Sequence, residues 1–388
     1  MRGRLGEVVV DLSAVAGNVR TVAGVARTGV MAVVKADGFG HGAESVARAA
    51  IGAGAGWLGV TSSTEALVLR SAGIRVPMLS WLHRPDEDFT ALIAERVDVA
   101  VSTLTHLHAV AAAAARLGAP AIVQLKADIG LSRNGAGGDD WPELVAWARK
   151  YEVEGGVRVR GVWSHLTGAD VPGQPGLAGQ SATFREALRV ARDAGLTPEL
   201  VHLANSAAAL SAPQTRYDLC RIGLALYGVD PFDPTGPGRF GLRPAMTLRT
   251  SVVNVKRVPA GTGVSYGPDH VTDRATTLAL IPLGYADGLS RTCEGRASVW
   301  LAGRRCPIVG RIAMDQCVVD AGDLPVALGD PVVVFGGEGG EASGGGDPSG
   351  GGGVPSVGEW ARWAGTNPHE VMTGIGARVA RVHLHGER

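Results

Sequence analysis

The sequence predicts an α/β fold in which an N-terminal (β/α)8 barrel of the TIM type is followed by a mostly-β domain. Over the first 230 residues, short apolar runs alternate with amphipathic, alanine-rich segments. Eight parallel strands that alternate with helices are the pattern of such a barrel. After about residue 240 the apolar runs become β-branched, glycine and proline turns separate them, and helical periodicity is almost absent. This second pattern is typical of an all-β domain.

Eight apolar runs are the candidate barrel strands. They begin at residues 30, 57, 76, 98, 121, 159, 199 and 219, with the sequences VMAVVK, WLGVTS, VPMLSW, DVAVST, AIVQLK, VRGVWSH, ELVHLA and LCRIGLALYGV. Helical segments such as GAESVARAAIGAGA and SATFREALRVARDAG lie between them. A doubly wound sheet is the alternative, but the first strand–helix turn lacks the GxGxxG pattern of dinucleotide-binding folds. The barrel is therefore favoured.

Composition shifts suggest where the two domains meet. We place the barrel domain at residues 7–237 and the β domain at residues 238–388, joined near the Pro/Gly-dense segment PFDPTGPGRFGLRP. The run EVVVDL precedes the barrel pattern, so residues 1–11 are expected to pair with the sheet of the β domain. Residues 336–356 are glycine-rich and of low complexity, which predicts a surface loop. The tail predicts two short helices and a last strand, ARVARVHL.

Charge and cysteine usage exclude several classes of function. Lys plus Arg and Asp plus Glu both number 37, and this balance argues against nucleic acid or an anionic membrane as the main partner. The four cysteines show no CxxC spacing, so we predict reduced thiols and no metal site. The start of the chain lacks the apolar region of a signal peptide, and no apolar run is long enough to cross a membrane. A cytoplasmic protein is expected.

Polar side chains follow five of the predicted barrel strands. In chain order they are Lys35, then Lys126 with Arg133 in GLSRNG, then His165, then Asn205 and Ser206, and finally Arg221 with Gly223 and Leu224. Barrel enzymes build their active sites at the C-terminal ends of several strands, so these groups are expected at one mouth. Each is weak evidence alone, because a lysine at a strand end is more often a surface or ion-paired residue.

The residue types at this mouth favour one kind of cofactor. A lysine in a dry barrel mouth has a lowered pKa and can condense with an aldehyde, and pyridoxal 5′-phosphate is the obvious aldehyde. The segments NSA and RIGL would supply donors to its phosphate. Arg221 opposite the ring nitrogen would leave that nitrogen unprotonated, because a guanidinium keeps its proton. Such a ring favours controlled proton transfer over decarboxylation or transamination.

Eight short motifs occur in the order AVVKADGFGHG, GLSRNG, SHL, HLANSAAAL, RIGLALYG, VSYG, PLGYADG and GRIAMDQ. Together they resemble the alanine racemases, which are fold-type III pyridoxal phosphate enzymes. The resemblance runs from about residue 7 to 335, with a looser tail to 385. It implies a barrel followed by a β domain and the interconversion of L- and D-alanine for peptidoglycan synthesis. It also implies a homodimer with shared active sites.

The resemblance implies a two-base mechanism, in which one group removes the Cα proton and another returns a proton from the opposite face. Lys35 would carry the cofactor and act as one base. Tyr266 of the partner subunit would be the other. His165, in contact with Arg221, would place positive charge near the tyrosine phenol. All four residues are thereby expected to be catalytic.

The resemblance also implies the binding residues. Cofactor binding would involve Lys35, Arg133, His165, Asn205, Ser206, Arg221, Gly223 and Leu224. Substrate binding would involve Arg133, the Met314 backbone, and Tyr285 and Asp315 on the route by which substrate enters. Lys126 matches a position that is often carbamylated and that holds the arginine corresponding to Arg133.

Three positions depart from the family pattern. Phe39 and Ala377 stand where tyrosines commonly reach the cofactor phosphate, and Ala313 stands where cysteine is common. Each lost hydrogen bond to a charged acceptor is worth about 1.5–3 kcal/mol. We therefore expect weaker cofactor retention, or compensation by other donors.

Other functions remain open from the sequence. One is a racemase for serine or a broader set of small amino acids. Another is a non-catalytic pyridoxal phosphate-binding protein with a partly degraded site. The decarboxylases of the same fold are disfavoured, because they place an acidic partner on the ring nitrogen where this chain has Arg221.

Overall fold

The chain forms two compact units in the computed structural model. The residues that the structure describes are 4–171, 176–236, 238–267, 269–337 and 353–385. One unit, here called the barrel unit, comprises residues 16–38 and 46–226. The other, called the β unit, comprises residues 1–15, 39–45 and 227–388. Most of the glycine-rich segment 336–356, predicted as a surface loop, lies outside the described residues.

Eight parallel strands form the nearly closed barrel, in the order β8-β7-β6-β5-β4-β3-β2-β9. Their bounds are Gly29–Val33 (β2), Trp57–Val60 (β3), Met78–Ser80 (β4), Asp98–Val101 (β5), Ala121–Lys126 (β6), Val157–Trp163 (β7), Leu200–His202 (β8) and Leu219–Ile222 (β9). The gap between β8 and β9 is bridged by two backbone hydrogen bonds, from Asp218 N to Val201 O and from Arg221 N to Ala204 O. The predicted barrel is thus confirmed.

Helices follow the strands around the barrel. Their bounds are Leu12–Ala26 (α1), Lys35–Gly40 (α2), Ala43–Gly52 (α3), Ser63–Ser71 (α4), Thr90–Ala94 (α5), Leu104–Leu117 (α6), Asp140–Val153 (α7), Gly176–Asp193 (α8) and Ser206–Ser211 (α9). Several begin at side-chain caps that the sequence encodes locally. Ser62 and Glu65 form a reciprocal capping box at α4, and Thr103 caps α6.

The barrel strands are short and apolar because both faces of a parallel sheet are covered. Met31, Leu79, Ala100, Trp163 and Leu219 form a buried cluster. The predicted eighth strand is wrong beyond its first four residues: β9 ends at Ile222, and a 3-10 turn occupies Leu224–Tyr227. The turn forms because the hydroxyl of Ser206 accepts the N–H groups of Gly223 and Ala225.

The residues after Lys35 form an unusual left-handed turn. From Ala36 to Gly40 the φ angles lie between +51° and +78°. The N–H of Gly38 closes the turn on Val34 O at 2.8 Å. Non-glycine residues in this region cost roughly 1–2 kcal/mol each, so Ala36, Asp37 and Phe39 carry strain. Strain of this kind is held only where the surrounding structure fixes it.

The β unit is built on a nine-stranded sheet with the order β11-β14-β17-β16-β15-β18-β10-β1-β19, and β12 and β13 form a separate pair. The bounds are Gly6–Asp11 (β1), Met246–Ser251 (β10), Asn254–Val258 (β11), Gly263–Val264 (β12), His270–Val271 (β13), Thr276–Ile281 (β14), Ser298–Leu301 (β15), Arg304–Val309 (β16), Cys317–Gly322 (β17), Pro331–Phe335 (β18) and Ala380–Leu384 (β19). Helices α10 and α11 span Val357–Ala364 and Pro368–Thr373.

The first strand of the chain belongs to this sheet. β1 pairs antiparallel with β10 and parallel with β19. It is buried along most of its length, with only Asp11 partly exposed. The sheet therefore contains both ends of the described chain.

Candidate active site

Five of the predicted site residues lie at the C-terminal ends of barrel strands and act on one another electrostatically. Lys35 follows β2, Lys126 ends β6, Arg133 follows β6, His165 follows β7, and Arg221 lies in β9. Burial is the main cause that lowers the pKa of both Lys126 and His165, and the charges of Arg221, Arg133 and Lys35 lower both further. The structure thus brings these five groups together at one mouth, although they are spread over most of the barrel sequence.

Lys35 is half-buried at the start of the left-handed turn. Burial, followed by the positive charge of Arg133, lowers the pKa of its amine, and Glu65 partly opposes this shift. Glu65 also accepts the N–H of Ala36 at 2.8 Å and that of Thr61 at 2.6 Å. The carboxylate therefore holds the backbone beside the lysine. A lowered pKa increases the fraction of neutral amine, which is the nucleophilic and basic form.

Arg221 is a buried cation whose contacts are mostly carbonyl oxygens. Its Nη1 donates to Nδ1 of His202 at 2.9 Å and to the His202 carbonyl at 3.2 Å. Its Nη2 donates to the carbonyls of Ser164 and Leu203 at 2.6 and 3.0 Å. Burial lowers the pKa of Arg221 to about 9, which leaves the guanidinium mostly charged at pH 7. Among the described residues, no carboxylate forms an ion pair with it.

His165 is a neutral imidazole beside this cation. Nη2 of Arg221 lies 3.4 Å from its Nδ1. Because a guanidinium can only donate, Nδ1 is the acceptor and the ring proton is on Nε2. Burial, followed by Arg221, lowers the pKa of His165 to about 2. The ring can therefore pass on the polarising effect of Arg221 without carrying a charge itself.

Lys126 is buried and shares an aromatic neighbour with Arg221. Its ammonium lies 4.5 Å from the centre of the Trp163 ring, and the Arg221 guanidinium lies 4.9 Å from the same centre. Burial, then Arg221, lowers the pKa of Lys126 to about 8. A substantial neutral fraction therefore exists near pH 8. Arg133 itself is exposed.

The segments expected to bind a phosphate are joined by hydrogen bonds. Asn205 caps α9 by accepting the N–H of Ala208 at 3.1 Å. The hydroxyl oxygen of Ser206 accepts the N–H of Gly223 at 3.1 Å and that of Ala225 at 3.3 Å. Because Ser206 accepts in both bonds, its own proton is left to donate. Leu224, between the two amides, is partly buried.

Tyr266 lies in the β unit, on the turn between β12 and β13, and is 71% exposed. Its neighbours fix the turn: Ser265 donates to the carbonyl of Arg311 at 2.7 Å, and Arg311 pairs with Asp269 at 2.5 Å. Gly267 has a φ of +68°, and a Cβ there would lie 2.9 Å from the Arg311 guanidinium. The turn is therefore held firmly, while the phenol projects into solvent.

Tyr285, Met314 and Asp315 lie on neighbouring loops of the β unit. The N–H of Tyr285 donates to Ala313 O at 3.1 Å. Tyr285 and Met314 are 43% and 53% exposed. Arg378 binds Asp315 at 2.6 Å. The two loops thus place an aromatic, an apolar and an acidic side chain on one exposed region.

Phe39 is buried in the β unit and has no hydroxyl to offer. Its ring stacks on Tyr227 with 4.6 Å between ring centres, and the His369 ring lies 5.3 Å away. Ala377 is exposed. Phe39 and Ala377, two of the three departures from the family pattern, therefore lie in different environments, and of these two only Phe39 has a packing role.

Sequence reasoning missed three polar residues that lie behind this site in the barrel interior. His202, Gln124 and Asp98 are buried inside the barrel, and His202 contacts Arg221 directly. The signal for His202 is its place three residues before Asn205, at the end of a barrel strand. No sequence feature marks Gln124 or Asp98, because single polar residues within apolar runs do not reveal which face they occupy.

The described residues contain neither a metal cluster nor a membrane-spanning helix. Within that part of the chain, no group of three or more His, Cys, Asp or Glu side chains could hold a metal ion. No helix there is both long and apolar enough to span a membrane.

Comparison with known proteins identifies relatives over the whole chain. Residues 10–231 match the family model described as the N-terminal domain of alanine racemase, and residues 245–383 match its C-terminal domain. The alanine racemase of Frankia casuarinae is 49% identical over 97% of this chain and 95% of that protein. The alanine racemase of Salinispora tropica is 46% identical over 98% of this chain and 99% of that protein.

Solved structures give the same result. The alanine racemase of the D-cycloserine producer Streptomyces lavendulae superposes with a TM-score of 0.94 at 46% identity, over 100% of this chain and 99% of that one. The alanine racemase of Streptomyces coelicolor superposes with a TM-score of 0.91 at 44% identity, over 98% of both chains. Similarity in sequence and in fold thus extends across both units.

Proposed function

The chain belongs to the alanine racemase family, and from this premise we propose that it interconverts L- and D-alanine with pyridoxal 5′-phosphate bound at the barrel mouth. It is an isomerase acting on amino acids, as its relatives are. The observation that carries the proposal is the set of residues at the barrel mouth. There, a lysine with a lowered pKa faces arginines and a neutral histidine.

The residues at the mouth fit the cofactor chemically. The lowered pKa of Lys35 suits condensation with an aldehyde. Three features suit a phosphate: the spare hydroxyl proton of Ser206, the adjacent N-terminus of α9, and the segment around Gly223 and Leu224. Arg221, charged and without a carboxylate partner among the described residues, suits a ring nitrogen that accepts a hydrogen bond. When bound, the cofactor withdraws electrons from the substrate Cα and so acidifies its proton.

Lys35 moves the proton on one face of the substrate Cα. Its neutral amine accepts the proton, and Arg133 nearby favours that neutral form. Tyr266 of a second copy serves the opposite face. Its exposure of 71% leaves the phenol free to enter another subunit's site. An inversion needs bases on both faces, and these two residues supply them.

His165 and Arg221 assist this proton transfer. A phenol is a weak acid–base at neutral pH, so a group that stabilises its phenolate assists the transfer. The polarised Nε2–H of His165 can donate to a phenolate and stabilise it. Arg221 would also disfavour protonation of the cofactor's ring nitrogen. An unprotonated ring limits side reactions.

The remaining groups bind and orient the substrate. Arg133 would bind its carboxylate and the cofactor's phenolic oxygen. Carbamylation would give Lys126 the negative charge that holds Arg133, because the unmodified ammonium and the guanidinium repel each other. The Met314 backbone would help hold the carboxylate, and Tyr285 and Asp315 would line the route of entry. A homodimer with shared sites, a role in supplying D-alanine for peptidoglycan, and a cytoplasmic location remain predictions from the family.

Proton exchange tests the proposal directly. Incubation with L-alanine in D2O should introduce deuterium at Cα together with inversion to D-alanine. Lys35→Ala and Tyr266→Phe should lose inversion. The matched variants Lys150→Ala and Tyr151→Phe, outside the mouth, should keep it. Exchange without inversion would indicate a single base, and no exchange with any amino acid would indicate a non-catalytic binding protein. Serine in the same assay measures how broad the specificity is.

A further inference from the structure

A row of hydrogen bonds crosses the barrel interior and ends at Arg221. Nη1 of Arg160 donates to Oδ1 of Asp98 at 2.7 Å, and Nε2 of Gln124 donates to Oδ2 of the same carboxylate at 2.8 Å. Nε2 of His202 lies 2.7 Å from Oε1 of Gln124. Nη1 of Arg221 lies 2.9 Å from Nδ1 of His202. Five neighbouring barrel strands, β5 to β9, each contribute one residue.

The direction of every bond in this row is determined. Both arginines can only donate, and an ionised carboxylate can only accept. Asp98 therefore accepts a hydrogen bond from the amide N–H of Gln124. This orientation of the amide turns Oε1 of Gln124 toward His202. The His202 proton is on Nε2, and its Nδ1 lone pair faces Arg221. Reversing any single group would set two donors or two acceptors against each other.

The backbone is shaped to allow this row. Val123 pairs with Val159 but Gln124 pairs with Gly161, so Arg160 is an extra residue in β7. Bulges of this kind redirect a side chain, and here Arg160 meets Asp98. At Gly161, a Cβ would lie 2.8 Å from Leu200 O and 3.1 Å from Gln124 Oε1. Only glycine leaves the space that the glutamine side chain occupies.

The row is buried, so its bonds are costly to break. Asp98, Gln124 and His202 are each 0% exposed, and the His202 ring stacks on Trp163 at a ring-centre distance of 5.4 Å and an angle of 9°. A buried donor that loses its partner keeps its full desolvation cost without a compensating hydrogen bond. Arg221 has no carboxylate partner within the described part of the chain, and Asp98 is the carboxylate to which this row connects it.

We propose that Asp98 and Gln124 are positioning residues for Arg221, acting through His202 to fix its guanidinium at the barrel mouth. The inference rests on the role proposed above for Arg221. Both side chains are 0% exposed, so neither is accessible to a substrate or cofactor at the mouth. Gln124 supplies the acceptor that holds the His202 ring, and Asp98 fixes which way the Gln124 amide faces. The orientation of Arg221 thus depends on a carboxylate three side chains away.

Gln124→Leu tests the proposal, because it removes the acceptor and keeps an apolar side chain of similar size. We expect kcat for alanine, per bound cofactor, to fall about 10- to 100-fold, as when outer partners of metal-bound imidazoles are removed, with KM little changed. In the 15N-histidine-labelled apoprotein, the His202 Nε2–H signal should move and exchange faster with water. Ser181→Ala, which removes a buried hydrogen bond in α8, should change neither quantity.

A double variant distinguishes the loss of a positioning role from simple misfolding. When Asp98→Asn is combined with Gln124→Glu, the new amide at position 98 can accept from Arg160 and donate to the new carboxylate at position 124. That carboxylate still accepts from His202. Net charge and all donor–acceptor pairs are kept. We expect this double variant to recover kcat to within a few-fold of the parent, and each single variant to be impaired.

Two results would overturn the inference. One is a Gln124→Leu protein that folds, binds cofactor and keeps the parent kcat. The other is an unchanged His202 signal in that variant. If the parent protein shows no racemisation at all, the proposed function fails, but the His202 signal of the apoprotein still tests whether Gln124 holds the ring.

Discussion

The ammonium of Lys126 lies 4.5 Å from the centre of the Trp163 ring. An aromatic face favours the charged form of an amine, whereas burial and the nearby Arg221 favour the neutral form. Burial, followed by Arg221, lowers the pKa of Lys126 to about 8, and Asp128 partly opposes this shift. The Trp163 ring therefore favours the ammonium form of this buried lysine.

Replacing that ring should shift the balance. In Trp163→Leu we expect the pKa of Lys126 to fall below about 8, because the cation–π stabilisation of roughly 1–2 kcal/mol is lost. Titration of the lysine signals by NMR after 13C-methylation measures the shift. Lys150 lies over a different ring, the partly exposed Trp147 at 4.4 Å, so its NMR signal serves as an internal reference. A pKa of Lys126 that rises would contradict this account.

Mixed dimers test whether sites are shared between copies. Lys35→Ala and Tyr266→Phe should each be inactive alone. In a heterodimer of the two, one site carries both substitutions and the other carries neither. A 1:1 mixture that re-equilibrates contains one half heterodimers, so about a quarter of the parent activity should return. If both residues served the same subunit's site, mixing would restore nothing.

Phe39→Tyr asks whether the missing hydroxyl limits cofactor retention. A new hydrogen bond to a charged phosphate, worth about 1.5–3 kcal/mol, would tighten cofactor binding roughly 10- to 100-fold. The cofactor dissociation constant, measured by titration of the apoprotein, checks this. Phe89→Tyr adds a hydroxyl at another buried phenylalanine and should leave cofactor affinity unchanged. No gain for Phe39→Tyr would mean that other donors already compensate.

Asp98 should make stability depend on pH. Burial raises its pKa from 3.8 to about 6, although Arg160, Gln124 and, more weakly, Arg70 all favour the ionised form. Between these values the folded state binds more protons than the unfolded state, so this group's contribution to stability falls as pH rises from about 4 to about 6. The loss is about 3 kcal/mol.

The Asp98→Asn variant isolates that contribution. The melting temperature of the apoprotein minus that of Asp98→Asn should decrease steadily between about pH 4 and about pH 6.5 and then level off. A difference that increases over this window would show that the native carboxyl has a lowered pKa instead. Glu186→Gln, at an exposed helix position, serves as the control. The melting temperature of the parent apoprotein minus that of Glu186→Gln should not decrease between about pH 5 and about pH 6.5.

The cysteines should be inert in the folded protein. All four are buried, and burial raises the pKa of Cys220 and Cys293 to about 11 and that of Cys317 to about 12. Thiolate is the reactive form, so a disulfide reagent at about pH 8 should label almost none of them. Unfolding in denaturant should expose four thiols. Fast labelling of the native protein would indicate a local opening of the fold.

The sequence predicted the parts of this protein that depend on repeated patterns. Eight apolar runs at regular spacing specify a barrel, and polar residues at strand ends specify one mouth because parallel strands share a direction. Lys35, His165 and Arg221 were found this way. The left-handed turn after Lys35 was not predicted, since Ala36 and Phe39 disfavour positive φ and Asp37 tolerates it mainly as a single residue.

The row of hydrogen bonds inside the barrel could not be predicted from the sequence either, for a physical reason. Asp98, Gln124 and Arg160 each appear as one polar residue in or beside an apolar run. Whether such a residue faces the barrel centre depends on register, and a single bulge in β7 changes the register there. The pairing between Gln124 and Gly161 becomes visible only once both strands are in place.

The position of β1 has a consequence for how the protein is made. β1 lies between β10 and β19, so among the described strands the one that is synthesised first has a neighbour that is synthesised last. Until Ala380–Leu384 is synthesised, one edge of β1 has no strand partner, and unpaired edges favour aggregation. Chains that terminate before Ala380 should therefore be aggregation-prone or degraded, even though every residue of the barrel mouth is already present in them.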